Sequence, residues 1–126
     1  MDNQLKIAII EDDKFISKAY ADALKRAGID VMLINDPENY HTYLTQTPVH
    51  LILLDLIMPT KDGFEILQEL KTDSEFHTIP VIIMSNLGQD ADISRAHELG
   101  VAAYFVKANI SIKEVIAKVK EILNLG

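Results

Sequence analysis

The chain has 126 residues, 48% of them hydrophobic, no cysteine, and a formal net charge of −7 at neutral pH. That length suits one domain, large enough to bury about two-thirds of its unfolded surface without staples. The missing cysteine excludes disulfides, thiol catalysis and thiolate metal sites, and the acidic balance disfavours nonspecific binding to nucleic acid or anionic membrane. No apolar run approaches the roughly 20 residues of a membrane span. The N-terminus also lacks a basic stretch leading into an apolar signal region, so a cytoplasmic location is expected.

The pattern alternates along the chain. Residues 5–10 read as a strand, and residues 15–27 follow as a helix with Ile16, Ala19, Tyr20, Ala23, Leu24 and Ala27 at helical spacing. Gly28 ends that helix. A second strand covers 29–34, and Asp36, Pro37 and Glu38 open a short helix to about Leu44, with Asp36 at the cap and Pro37 in the first turn. A third strand covers 49–54, and Asp62 and Gly63 precede a helix through Lys71 whose Ile66, Leu67 and Leu70 face inward. The fourth strand is 80–84, followed by a weakly patterned helix over 89–99 that stops at Gly100. The fifth strand is 102–106. Ser111 caps a last helix carrying Ile112, Val115, Ile116, Val119, Ile122 and Leu123 on one stripe, and Glu114 completes a capping box.

A strand–helix unit repeated five times predicts an α/β three-layer sandwich built on a parallel sheet with right-handed crossovers. Five units are too few for an eight-fold barrel, so the sheet is expected to be open. No linker, low-complexity segment or appended domain is visible, and residues 1–126 read as a single domain without an output domain.

Four of the strands run into a polar residue where the apolar run stops: Ile10 into Glu11 and Asp12, Leu54 into Asp55, Met84 into Ser85, and Val106 into Lys107. Ligands of open parallel sheets bind beyond the carboxyl ends of the strands. If the strand order is 2-1-3-4-5, Asp12 and Asp55 sit on neighbouring strands about 4.8 Å apart and can share a cation. Ser85 then flanks Asp55, and Lys107 starts two strands away, about 10 Å, within reach of its flexible stem. Clustered carboxylates repel one another and raise each other's pKa. A hard divalent ion such as Mg²⁺ relieves this, and it takes one or two carboxylates plus waters and a phosphate oxygen.

At this point the motifs match a family. Ile9 to Asp13, Asp55 to Pro59 followed by Asp62 and Gly63, Met84 with Ser85, and Tyr104 to Lys107 together resemble the response-regulator receiver domain of two-component phosphorelay signalling. The resemblance covers essentially the whole chain, in order. It implies the flavodoxin-like (CheY-like) fold, with sheet order 2-1-3-4-5 and five helices. It implies that Asp55 is the phosphoacceptor, phosphorylated by a partner sensor histidine kinase or phosphotransfer protein. Asp12 and Asp55 would ligate Mg²⁺ directly, Glu11 through water, and Ile57 through its backbone carbonyl. Ser85 and Lys107 would contact phosphoryl oxygens, and Tyr104 would be the switch aromatic. The implied output is binding of a downstream protein on the face formed by helix 4, strand 5 and helix 5, by a monomer or a phosphorylation-dependent dimer. No separate substrate is turned over, and no direct contact with nucleic acid or membrane is expected. The family pattern has proline after the lysine, in a cis peptide bond; here Ala108 follows Lys107. A cis bond before a non-proline residue costs about 3 kcal/mol, so the bond is either trans with an adjusted loop or an unusual, well-supported cis.

Plainer readings compete residue by residue. Glu11, Asp12 and Asp13 suit a helix N-terminus, and Asp13 is expected to do only that. Asp55 suits a turn, but the apolar Leu56, Ile57 and Met58 that follow argue against a solvated one. Ser85 with Asn86 suits a loop, Lys107 a solvated strand end, and Tyr104 an ordinary half-buried ring. His41, His50, His77 and His97 show no metal-like spacing. Other functions also compete. A haloacid dehalogenase-type phosphatase needs a second Asp two positions after the nucleophile, where Ile57 stands. An FMN binder needs a Ser/Thr/Gly-rich phosphate loop after the first strand, where the acids stand. A non-phosphorylated pseudo-receiver would not need the full acidic set, and DNA binding lacks a basic patch and a helix-turn-helix segment.

Overall fold

The computed structural model describes residues 4–125. Five strands, β1 (Lys6–Ile10), β2 (Asp30–Ile34), β3 (Leu51–Leu54), β4 (Val81–Ser85) and β5 (Ala103–Val106), pair in parallel in the order β2-β1-β3-β4-β5. Five helices connect or follow them: α1 (Lys14–Arg26), α2 (Tyr40–Gln46), α3 (Gly63–Thr72), α4 (Asp90–Glu98) and α5 (Ile112–Ile122). The central strands β1, β3 and β4 are buried on both faces, as their unbroken apolar runs require. Two cores result. One face packs Ala8, Ile52, Leu54 and Ile83 against α2, α3 and α4 residues such as Leu44, Leu67 and Ala96. The other packs Ile7, Ile9, Leu53 and Ile82 against Tyr20 and Leu24 of α1 and Val115 and Val119 of α5.

The helix ends follow from their sequences. Asp13 caps α1, its carboxylate accepting from the amides of Phe15 and Ile16 at 2.9 and 3.1 Å. Ser111 and Glu114 form the capping box of α5, and Gly28 (φ +85°) and Gly100 (φ +91°) take left-handed conformations just beyond α1 and α4.

Two expectations need correction. Asp36 does not cap a helix with its side chain. The chain enters α2 through a 3-10 turn, Pro37–Asn39, and the Asp36 carboxylate instead accepts from the Asn39 side chain at 3.0 Å. Turns of 3-10 geometry are frequent at helix N-termini, and Pro37 fits this first turn because its fixed φ suits it and it has no N–H to leave unpaired. On α1 the buried residues are Ser17, Tyr20, Ala21 and Leu24, whereas Ala19 is exposed and Ala23 half-buried. Small residues do not reveal by hydropathy which way a helix face points, so the buried stripe is rotated from the expected one.

Candidate functional site

Strand register aligns the ends of the central strands. Ile10 pairs with Leu54, Leu54 with Ile83, and Ser85 with Val106. The residues that follow Ile10, Leu54 and Val106 therefore leave the sheet on one rim, beside Ser85. Oxygens of Glu11, Asp12 and Asp55 lie within 4.8 Å of one another. Lys107 reaches across to this group, with its Nζ 2.6 Å from Glu11 Oε1 and 3.4 Å from Asp55 Oδ2.

Local backbone structure holds each group. The Asp55 amide donates to the Ile10 carbonyl at 3.1 Å, extending the β1–β3 ladder to the carboxylate. Asp55 Oδ1 accepts from the Ile57 amide at 3.2 Å, so the chain bends back over the site immediately after β3. Gly63 opens α3 against this bend, its amide bonded to the Leu56 carbonyl at 3.1 Å. Ser85 is fully buried and its hydroxyl accepts from the Leu87 amide at 3.2 Å. The half-buried Tyr104 donates its hydroxyl hydrogen to the Leu87 carbonyl at 2.6 Å. Ser85 and Tyr104 thus grip the same residue of the β4–α4 loop. Ile57 itself is exposed.

No cis peptide bond occurs among the described residues, so Lys107–Ala108 is trans. The loop adjusts by closing a 3-10 turn over Lys107–Asn109, and the ammonium still reaches both carboxylates. The four histidines are all exposed.

Electrostatics mark Glu11 as the strained member. Burial, followed by the Asp55 charge, raises its pKa from 4.5 to about 7, although the hydrogen bond and charge of Lys107 oppose the rise. The folded state then holds more protons than the unfolded one between about pH 4.5 and 7, so Glu11 stabilises the fold at low pH and that contribution fades as pH rises through this window. Denaturant unfolding in EDTA should show stability falling as pH rises across it. Lys107→Met, which removes the hydrogen bond and charge of Lys107 that hold the pKa down, should extend the decline to higher pH. Flat stability across the window would show that the pocket does not strain Glu11.

Three carboxylates against one ammonium leave the ionised pocket with an excess of negative charge that a divalent cation would balance. The donors are all hard oxygens, the set that suits Mg²⁺, Ca²⁺ or Mn²⁺. The cluster of Glu11, Asp12 and Asp55 therefore has the donor set and the charge that fit a hard divalent cation.

Fold and rim together define a flavodoxin-like α/β domain with an acidic pocket at the carboxyl end of its sheet. Its sequence matches the response regulator receiver domain family over residues 7–120, and the chain belongs to that family. It is a receiver of the kind found in response regulators of two-component systems. It is 34% identical over 118 residues to the DNA-binding dual master transcriptional regulator RpaA of Synechocystis, a match covering 94% of this chain and 48% of RpaA. It is 33% identical over 122 residues to the transcriptional regulatory protein BaeR of Escherichia coli, covering 97% of this chain and 49% of BaeR. The chain thus spans about half the length of these curated relatives. Among solved structures, the phosphorylated cyanobacterial phytochrome response regulator RcpA superposes with a TM-score of 0.80 at 31% identity, covering 94% of this chain and 91% of RcpA. The Mn²⁺-bound form of response regulator Rcp1 gives 0.79 at 29% identity, with the same coverage of each chain.

Asn35 and Ser17, which tie β2 to the acidic loop, were not among the residues the sequence singled out. A lone Asn after a strand and a Ser inside a helix carry no motif, and only the spatial meeting of β2 and α1 gives them a role.

Proposed function

We propose that this receiver is switched by Mg²⁺-dependent phosphorylation of Asp55. The observation that carries this is the convergence of Glu11, Asp12 and Asp55 with Lys107 only 3.4 Å from the Asp55 carboxylate. In this reading Asp12 and Asp55 would hold the ion directly, Glu11 would act through water, and Ile57 would offer its backbone carbonyl. The ion supplies positive charge that makes the acidic pocket hospitable to a dianion. An oxygen of Asp55 attacks phosphorus as the bond from phosphorus to the histidine nitrogen of the donor breaks. The donor is a sensor histidine kinase or a phosphotransfer protein. Lys107 and the Ser85 hydroxyl then contact the phosphoryl oxygens and offset their charge. The protein assists its own phosphorylation and hydrolysis and turns over no separate substrate.

Incubation with acetyl phosphate and Mg²⁺ should add one phosphoryl group, read by intact-protein mass, and EDTA should prevent it. Uptake that persists in EDTA would sink the metal requirement.

The output reading rests on the shared grip at Leu87. A phosphoryl group that draws the Ser85 hydroxyl toward itself removes the acceptor of the Leu87 amide and loosens the loop that also holds the Tyr104 hydroxyl. A two-state change of this kind alters the face made by α4, β5 and α5, which a downstream protein can read. Beryllofluoride, a phosphoryl mimic, should shift NMR resonances of Leu87, Tyr104 and α4 together with those of the pocket. Changes confined to the acidic residues would leave this surface without a role.

A further inference from the structure

The acidic loop between β1 and α1 is held from one side by a residue that carries no charge. Glu11 is the first residue of that loop, and both of its peptide groups are fastened to the end of β2. Its amide donates to the Ile34 carbonyl at 3.1 Å, and its carbonyl accepts from the side-chain amide of Asn35 at 2.8 Å. The same Asn35 nitrogen donates to Ser17 Oγ at 3.1 Å. Ser17 is fully buried in α1, and its hydroxyl donates in turn to the Lys14 carbonyl at 3.3 Å. A single amide therefore joins β2, the loop and the first turn of α1. Between its anchor points at Glu11 and Ser17 the chain passes through Asp12 and Asp13, and the Asp13 amide turns back to Glu11 Oε2 at 3.3 Å.

We propose that Asn35, anchored by Ser17, is a positioning residue that sets the cation affinity of the pocket by fixing the Glu11 backbone. The proposal rests on the reading that the pocket binds Mg²⁺. The physical reason is that the Glu11, Asp12 and Asp55 carboxylates repel one another, so without restraint the loop gains by swinging the first two away from the third. Asn35 resists that motion at the peptide that precedes Asp12, and a cation then meets ligands already gathered. Hydrogen-bond partners that orient metal ligands are commonly worth 10–100-fold in affinity. Asn35 acts on the ligand backbone rather than on a ligand atom, so its effect belongs at the lower end. Burying Ser17 with its hydroxyl fully committed fits a role in holding Asn35, since an alanine there would favour the helix itself.

The test is titration of the metal-free protein with MgCl₂ by calorimetry, together with amide hydrogen exchange in EDTA. Asn35→Ala should weaken Mg²⁺ binding by about tenfold and speed exchange at the Asp13 amide. Ser17→Ala should weaken binding by about two- to threefold and also speed exchange at the Asp13 amide, because Asn35 loses its anchor in α1. Val119→Ala, in the core between α5 and the sheet, should lower stability and leave Mg²⁺ affinity unchanged. Wild-type affinity in Asn35→Ala, or an equal loss in Val119→Ala, overturns the positioning role while leaving the metal reading intact. Absence of Mg²⁺ binding by the wild type would overturn the metal reading and this inference with it.

Discussion

Asp55→Asn should abolish phosphoryl uptake and at the same time make the metal-free protein more stable. The first effect follows because an amide oxygen is a far weaker nucleophile than a carboxylate and Asp55 is the acceptor in the reading above. The second comes from charge. Asp55 is 5% exposed and faces Glu11, whose pKa its charge helps to raise. Asparagine keeps the size of the side chain and an oxygen to accept from the Ile57 amide, while one of three clustered charges disappears. Lys107 loses its 3.4 Å partner but retains the closer contact with Glu11 at 2.6 Å. Relief of repulsion should exceed that loss by about 1 kcal/mol at pH 8, a rise of several degrees in melting temperature. Mg²⁺ should reverse the ranking, since a ligand at ten times its Kd adds about 1.4 kcal/mol to the form that binds it. Thermal melts in EDTA and in Mg²⁺, with intact-protein mass after acetyl phosphate, check all three parts. Residual phosphorylation of the variant would remove Asp55 from its place, and a lower melting temperature in EDTA would refute the charge argument.

Gly63→Ala should be severely destabilising. A β-carbon on Gly63 would lie 2.4 Å from both the Asp55 carbonyl oxygen and Leu56 Cα, and 2.9 Å from the Leu56 carbonyl carbon. All three are backbone atoms at the exit of β3, so no side chain can rotate away. Alanine in a helix is ordinarily better than glycine by about 1 kcal/mol; here the clash should reverse the sign and cost on the order of 3–5 kcal/mol. The displaced segment carries Asp55, so phosphoryl uptake should slow in whatever fraction folds. Denaturant unfolding gives the number, and a variant within 1 kcal/mol of wild type would show that α3 can move off the β3 exit cheaply.

These two residues show what kind of information each level holds. Asp55 was legible in the sequence because an apolar run ending in a carboxylate, beside other such runs, needs only the geometry of parallel sheets to become a rim. The same holds for Glu11, Asp12, Ser85 and Lys107, and for the caps at Asp13 and Ser111, whose partners lie within three residues. Gly63 was legible only as a residue at a helix start. Its real constraint, close approach of α3 to the β3 exit, depends on how a helix packs on a sheet.

By itself the sequence determined the five strand–helix units and the charged residues that gather at their ends, because hydrophobic period and local capping are short-range properties. It did not determine the 3-10 entry to α2, which turns on how the chain leaves β2. Nor did it determine the rotation of α1, where alanine and serine are too similar in hydropathy to mark the buried side. The trans bond before Ala108 was likewise left open, because removing proline lowers the weight of the cis form without dictating the loop. Tertiary structure alone decided that Lys107 spans from β5 to Glu11, that Ser85 and Tyr104 share Leu87, and that Asn35 and Ser17 hold the acidic loop. Each of these joins residues far apart in the chain, and each depends on ångström-scale distances that only the packed fold supplies.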